Sequence, residues 1–128
     1  MNLLLDSHSF IWMHNEPHKL SAKVAMEILN PASVLFFSIV SIWEIQIKIQ
    51  IGKFSFKKSL ADVISKEQQV NNLQILPVNL SHVLELEKLA FHHKDPFDRL
   101  LIAQARIENI ILVTADPKLS AYSVNLLW

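Results

Sequence analysis

The sequence predicts an α/β fold, a parallel sheet of about five strands with helices on both faces. Two observations carry this. The short apolar runs, such as Leu3-Leu4-Leu5 and Ile110 to Thr114, are continuous rather than alternating, as expected of strands buried on both sides. Segments with apolar residues at helical spacing lie between them, and strands that alternate with helices pair in parallel.

Taken in order, Leu3-Leu4-Leu5 is the first strand and ends at Asp6. Ser21 to Leu29 reads as a helix capped by Ser21, with Val24, Ala25, Ile28 and Leu29 on one face. Val34 to Ile39 follows the Asn30-Pro31 break as a second strand. Leu73 to Val78 is a third, and Pro77 assigns it to an edge or to a strand end. Ser81 to Ala90 carries Val83, Leu84, Leu86 and Leu89 at near-helical spacing. Arg99 to Glu108 is helical, Ile110 to Thr114 is a fourth strand, and Val124 to Leu127 is a fifth.

One segment carries two patterns. Ile45, Ile47, Ile49 and Ile51 alternate with Gln46, Lys48 and Gln50, a strand period. Ser41-Ile42-Trp43-Glu44, however, has capping-box spacing, Gly52 suits the position just past a helix, and Glu44 and Lys48 pair at i,i+4. The caps outweigh the period, and a helix is expected.

Composition narrows the function. A chain of 128 residues is expected to form one domain, 1–128, burying roughly 65–70% of its unfolded surface. With no cysteine, disulfides, zinc–thiolate sites and thiol catalysis are excluded, and a reducing cytoplasmic location is the default. No apolar run approaches the roughly 18 residues of a membrane helix, so no membrane partner is expected. Twelve Lys and Arg balance 12 Asp and Glu, which gives no overall basic excess for phosphate; a local one exists in Lys48, Lys53, Lys57 and Lys58. The single glycine, Gly52, rules out a glycine-rich loop that cradles nucleotide phosphates.

The acids are more informative. In Asp95-Pro96-Phe97-Asp98, Asp95 fits an N-cap, Pro96 the first helical position and Asp98 the N3 position. Isolated acids also mark the edges of three other apolar segments, at Asp6, Glu44 and Asp116. In an open parallel sheet, ligands bind beyond the carboxyl ends of the strands, and helices begin at that same rim. Each acid alone is a cap or a strand end. Together they would repel, since two charges 4 Å apart cost about 1 kcal/mol in water and about 4 at an effective dielectric near 20. A bound cation removes that cost. All-oxygen ligands suit Mg²⁺ or Mn²⁺, whose bound water can serve as the nucleophile for phosphodiester hydrolysis.

With these residues in view, the chain resembles the PIN domain family, and within it the toxin ribonucleases of VapC type. The resemblance rests on Leu3-Leu4-Leu5-Asp6-Ser7-His8, Ser41-Ile42-Trp43-Glu44-Ile45, Asp95-Pro96-Phe97-Asp98-Arg99 with the following Leu100 to Ala105, and Leu112-Val113-Thr114-Ala115-Asp116. It extends to the closing Leu126-Leu127-Trp128. The Asp-Pro-Phe-Asp-Arg block is the most specific of these. The resemblance implies a PIN-like three-layer fold and a Mg²⁺-dependent endoribonuclease, with an antitoxin that blocks its site and a homodimeric assembly. Asp6, Glu44, Asp98 and Asp116 match the family's acidic quartet, while Asp95 is an extra acid seen in this subgroup. Ser7 stands where many relatives have Thr and keeps the hydroxyl.

Around the quartet, Ser7 and Thr114 are candidates to hydrogen-bond the acids. Arg99 is expected to pair with an acid and so hold the rim together, more than to bind RNA phosphate. His92 and His93 are expected to be solvated, and Trp12 and Trp43 to pack in the core or at a dimer contact. Rival classes fail on particular residues. A response-regulator receiver needs an adjacent acidic pair where Asp6 stands alone, and a haloacid-dehalogenase-like phosphatase needs an acid where His8 stands. An RNA-processing nuclease outside any toxin–antitoxin pair, or a non-catalytic binding module, shares the same sequence features.

Overall fold

The computed structural model describes Met1–Trp128, and its sheet holds five strands, all paired in parallel: β1 (Asn2–Leu5), β2 (Val34–Ser38), β3 (Gln74–Leu76), β4 (Ile111–Val113) and β5 (Leu126–Leu127). Six helices accompany them: α1 (Ser7–Asn15), α2 (Ala22–Leu29), α3 (Ile39–Gln50), α4 (Leu60–Asn71), α5 (Leu80–Glu85) and α6 (Pro96–Glu108). The strand order is β3-β2-β1-β4-β5. The chain builds outward from β1 on one side, then crosses to build outward on the other. The order therefore reverses at β1 and β4, where such sheets open a crevice at their carboxyl ends.

The continuous apolar runs are sorted by the strand pleat. Leu3, Leu5, Leu35, Phe37 and Val113 face one core with Phe10, Val24, Ile45 and Val63. Leu4 and Leu112 face the other with Leu101, Ile102, Ala105 and Leu119. The sheet is thus the middle of three layers. Phe10 stacks on Phe37 at 4.1 Å between ring centroids, which locks α1 onto β2.

Four expectations about the elements need correction. Ser38, not Ser41, caps α3: its hydroxyl accepts from the Val40 N–H at 3.0 Å. Glu44 therefore sits in the second turn of α3 rather than the first, and Ser41 is buried inside the helix. Leu29 is not on the buried face of α2, being 81% exposed at the helix end. The stretch Ser81 to Ala90 is not one helix, since α5 stops at Glu85 and a 3₁₀ turn spans Leu86–Lys88. Two helices also escape the apolar pattern. In α4 the stripe Leu60, Val63, Ile64 is interrupted by Glu67, yet Glu67 is buried, bonded to the Asn71 amide at 2.7 Å and 3.4 Å from the His14 ring. In α1, polar Ser7 and Ser9 are as buried as Phe10 and Ile11.

The helical reading of Ile45 to Ile51 holds, and the stop is a Schellman motif. Gly52 has φ +75°, its N–H bonds the Ile49 carbonyl at 3.1 Å, and the Lys53 N–H bonds the Lys48 carbonyl at 3.0 Å. β3 lies at the sheet edge and ends before Pro77. No helix is long and apolar enough to cross a membrane.

Candidate active site

Because all five strands are parallel, their carboxyl ends share one rim, and the helices that follow β1 and β2 start there. Asp6 is the first residue beyond β1. Its N–H continues the ladder to the Val113 carbonyl at 3.1 Å, and its Oδ1 accepts from the Ser9 N–H at 2.8 Å, capping α1. Asp116 lies three residues beyond β4, and its Oδ1 accepts from the Lys118 N–H at 2.9 Å at the start of a 3₁₀ turn. Asp95 caps α6 as the sequence predicts: its Oδ1 accepts from Phe97 and Asp98 N–H groups at 2.9 and 3.1 Å. Capping and a rim of acids are therefore one arrangement. Helix N-termini favour carboxylates, and several meet here.

Asp98, at N3 of α6, is where the charges accumulate. Its carboxyl is pushed up from 3.8 to about 7, first by burial and then by the charges of Asp95, Glu44, Asp6 and Asp116. All four quartet acids therefore share one electrostatic neighbourhood. No three His, Asp or Glu side chains are gathered tightly enough to form a ready metal site. The reason is visible in their partners, because three of the four quartet acids are turned to local donors. Asp6 and Asp116 spend one oxygen on a helix start. Glu44 accepts the Ser7 hydroxyl at Oε1, and its Oε2 lies 3.9 Å from Lys48 Nζ. The donor set is nonetheless all oxygen, and Asp98 carries the charge crowding that a hard cation relieves.

The polar residues around the acids divide by role. Ser7 is bonded to Glu44, as expected. Thr114 Oγ1 accepts the backbone N–H of Asp116 at 3.2 Å, so it shapes the turn that carries Asp116 rather than touching the carboxylate. Arg99 is buried but pairs with no acid, contrary to expectation: Nη1 donates to the Ala90 carbonyl at 2.8 Å and the Tyr122 hydroxyl at 3.0 Å, and Nη2 to the Leu89 carbonyl at 3.3 Å, so it braces the backbone behind α6 instead. Its guanidinium also lies 4.1 Å over the Phe91 ring. His92 is exposed. His93 is not solvated as expected, because its side chain is only 11% exposed and sits between Tyr122 and Asp98.

Two participants were not singled out from the sequence. Gln104, fully buried on α6, accepts the Ser38 hydroxyl at 2.6 Å and donates to the Pro77 carbonyl at 3.1 Å, tying α6 to the ends of β2 and β3. Tyr122, the chain's single tyrosine, sits outside every recognisable motif. A lone amide within the apolar run Leu100 to Ala105 was the only hint of the first. The lysines separate: Lys48 joins Glu44, whereas Lys57 and Lys58 line a cavity of about 550 Å³ with His14, Asn15 and Lys66, which no rim acid enters. Trp12 packs on one core and meets Trp128 edge-on, and Trp43 is 61% exposed, edge-on to Phe97.

A sequence model of the PIN domain matches residues 3–125. The fold is similar to that of a chain in VapBC2 from Rickettsia felis bound to a DNA fragment from the promoter, with TM-score 0.73 and 19% identity over 99% of this chain and 98% of that one. It is also similar to a chain of VapBC-1 from nontypeable Haemophilus influenzae, with TM-score 0.68 and 20% identity over 99% and 97%. A third, from the toxin–antitoxin system VapBC-5 of Mycobacterium tuberculosis, gives TM-score 0.61 and 15% identity over 98% and 95%. No match was found among curated proteins.

Proposed function

The chain belongs to the PIN domain family, and from that premise we propose that it is a Mg²⁺-dependent endoribonuclease acting as the toxin of a toxin–antitoxin pair. The observation that carries the nuclease reading is the Asp98 carboxyl, raised to about 7 by burial and by Asp95, Glu44, Asp6 and Asp116. Partly buried acids crowded at a switch point mark a functional site more than a fold requirement.

In this reading Asp6, Glu44, Asp98 and Asp116 hold the ion, with Mn²⁺ as a substitute. Bound Mg²⁺ supplies a water acidic enough to act as nucleophile near neutral pH, together with positive charge for the phosphoryl oxygens. The chain does the rest. Ser7 keeps the Glu44 carboxylate turned by its hydrogen bond. The Asp95 cap fixes the first turn of α6 and with it the position of Asp98. Lys53, Lys57 and Lys58 supply positive charge that RNA phosphates need on a chain with no net charge, while Lys48 sits at the Glu44 carboxylate.

The toxin role is supported by similarity in fold to chains of VapBC complexes, one of them from the toxin–antitoxin system VapBC-5. The partner is then a cognate antitoxin, placing a basic side chain against the acid rim, and the assembly is a cytoplasmic homodimer. The test is incubation of the purified protein with defined RNAs, with and without Mg²⁺. Metal-dependent internal cleavage is expected. Expression of the chain should arrest growth of its host, and co-expression of the neighbouring gene product should relieve the arrest. Cleavage without growth arrest would instead favour a processing nuclease, and no cleavage at all a binding module.

A further inference from the structure

His93, Tyr122 and Arg99 form a buried chain behind Asp98 that the reaction scheme above does not use. The Tyr122 hydroxyl meets three groups: Arg99 Nη1 at 3.0 Å, the His93 N–H at 3.3 Å and His93 Nδ1 at 2.8 Å. A guanidinium and a backbone N–H can only donate, whereas a hydroxyl offers two lone pairs and one proton. The two donors fill the lone pairs, which leaves the hydroxyl proton for Nδ1. A neutral imidazole whose Nδ1 accepts carries its own proton on Nε2. That nitrogen is buried with no close hydrogen-bond partner, and Asp98 Oδ2 lies 3.5 Å away.

We propose that His93 is a positioning residue for Asp98, with Tyr122 and Arg99 fixing its ring so that Nε2–H is held against the carboxylate Oδ2. Arg99 is itself anchored on the Leu89 and Ala90 carbonyls, so the chain runs from the backbone just beyond the 3₁₀ turn to the acid. The Nε2–Oδ2 separation is longer than a tight hydrogen bond, as is common at sites that close only when loaded. A carboxylate whose outer oxygen is held this way presents the other oxygen in a fixed direction, and partners of this kind set ligand geometry.

The proposal rests on the metal-nuclease reading, and its tests separate the two. In the metal-free protein, ¹⁵N spectra of the histidine rings in mildly alkaline solution should show His93 as the Nε2–H tautomer. Asp98→Asn should move its Nε2 resonance, and Tyr122→Phe should release a mixture of tautomers. An Nδ1–H tautomer in the wild type, or an Nε2 resonance indifferent to Asp98→Asn, overturns the proposal whether or not the protein binds metal. By calorimetry, His93→Phe and Tyr122→Phe should weaken Mn²⁺ binding about tenfold. His93→Gln, which returns an amide N–H near the Nε2 position, should recover most of the loss. Mn²⁺ affinity unchanged in His93→Phe also overturns it. A wild type that binds no Mn²⁺ sinks the metal reading, and the ring spectra then decide on His93 alone.

Discussion

The Ser7 hydroxyl donates to Glu44 Oε1, joining the first residue of α1 to the second turn of α3 across 37 positions of sequence. The bond explains why a polar residue stands fully packed beside Asp6. It also explains how Glu44, on a helix whose start the sequence misplaces, still comes to the rim. Removing the hydroxyl leaves the carboxylate with only the Lys48 contact at 3.9 Å. Ser7→Ala should therefore lower Mg²⁺-dependent cleavage by about tenfold while the protein stays folded. Ser7→Thr, keeping the hydroxyl, should retain most of the rate. Equal rates for Ser7→Ala and wild type in a cleavage assay would remove Ser7 from the site.

Asp98 makes stability depend on pH with a definite sign. Its folded-state carboxyl, raised from 3.8 to about 7, binds a proton that the unfolded chain has already lost. The associated stability is complete below about pH 4 and is lost as pH rises toward about 7. In the absence of metal, urea midpoints should fall across that window. At about 1.36 kcal/mol per pH unit the loss has a ceiling of about 4 kcal/mol, less for the part of the group that water screens. Asp98→Asn should flatten the profile and be more stable than the wild type at neutral pH. A wild-type profile no steeper than that of Asp98→Asn would contradict the crowding.

Metal should reverse that loss. An ion that binds only the folded state adds RT ln(1 + [L]/Kd), about 2.7 kcal/mol at a hundredfold excess over Kd. Thermal scans with Mg²⁺ or Mn²⁺ should show a higher Tm for wild type. Asp6→Asn and Asp98→Asn should fold, fail to respond and lose cleavage. Asp95→Asn is the discriminating control. Its Oδ1 is occupied by two N–H groups of α6, and Asn caps nearly as well as Asp, so a partial response is expected. A full loss in Asp95→Asn would make Asp95 a ligand rather than a cap.

The sheet was legible because its strands are buried on both faces, which leaves continuous runs such as Leu3 to Leu5 that need no alternation to be recognised. The α6 start was legible because Asp95, Pro96 and Asp98 each obey a local rule. What escaped depended on distant partners. Glu67 breaks the stripe of α4 but is satisfied by Asn71 and His14. Ser41 has the spacing of a cap, but Ser38 takes that role because β2 ends there and its hydroxyl also reaches Gln104. His93 reads as a surface residue until Tyr122, 29 positions away, is seen against it. Local chemistry places the acids on their elements. Only the fold shows which of them share a charge environment.

The lysines give the last prediction, because the structure splits a group that looks uniform in sequence. Lys57 and Lys58 border a cavity with Lys66 and Asp62, away from the quartet acids, whereas Lys48 lies at the Glu44 carboxylate. If Lys57 and Lys58 contact RNA phosphates, replacing both with Ala should weaken binding and lower the salt slope. Each lost contact to a single strand removes about 0.7 from that slope. The turnover of bound RNA should be little changed. Lys48→Met removes a charge that partly neutralises Glu44, so it should act mainly on turnover and on metal affinity, with a smaller change in salt dependence. Measuring RNA affinity over a range of salt, alongside single-turnover cleavage, separates the two groups. If all three substitutions shift the salt slope equally and leave turnover alone, Lys48 belongs with the RNA-binding surface and its contact with Glu44 has no part in the reaction.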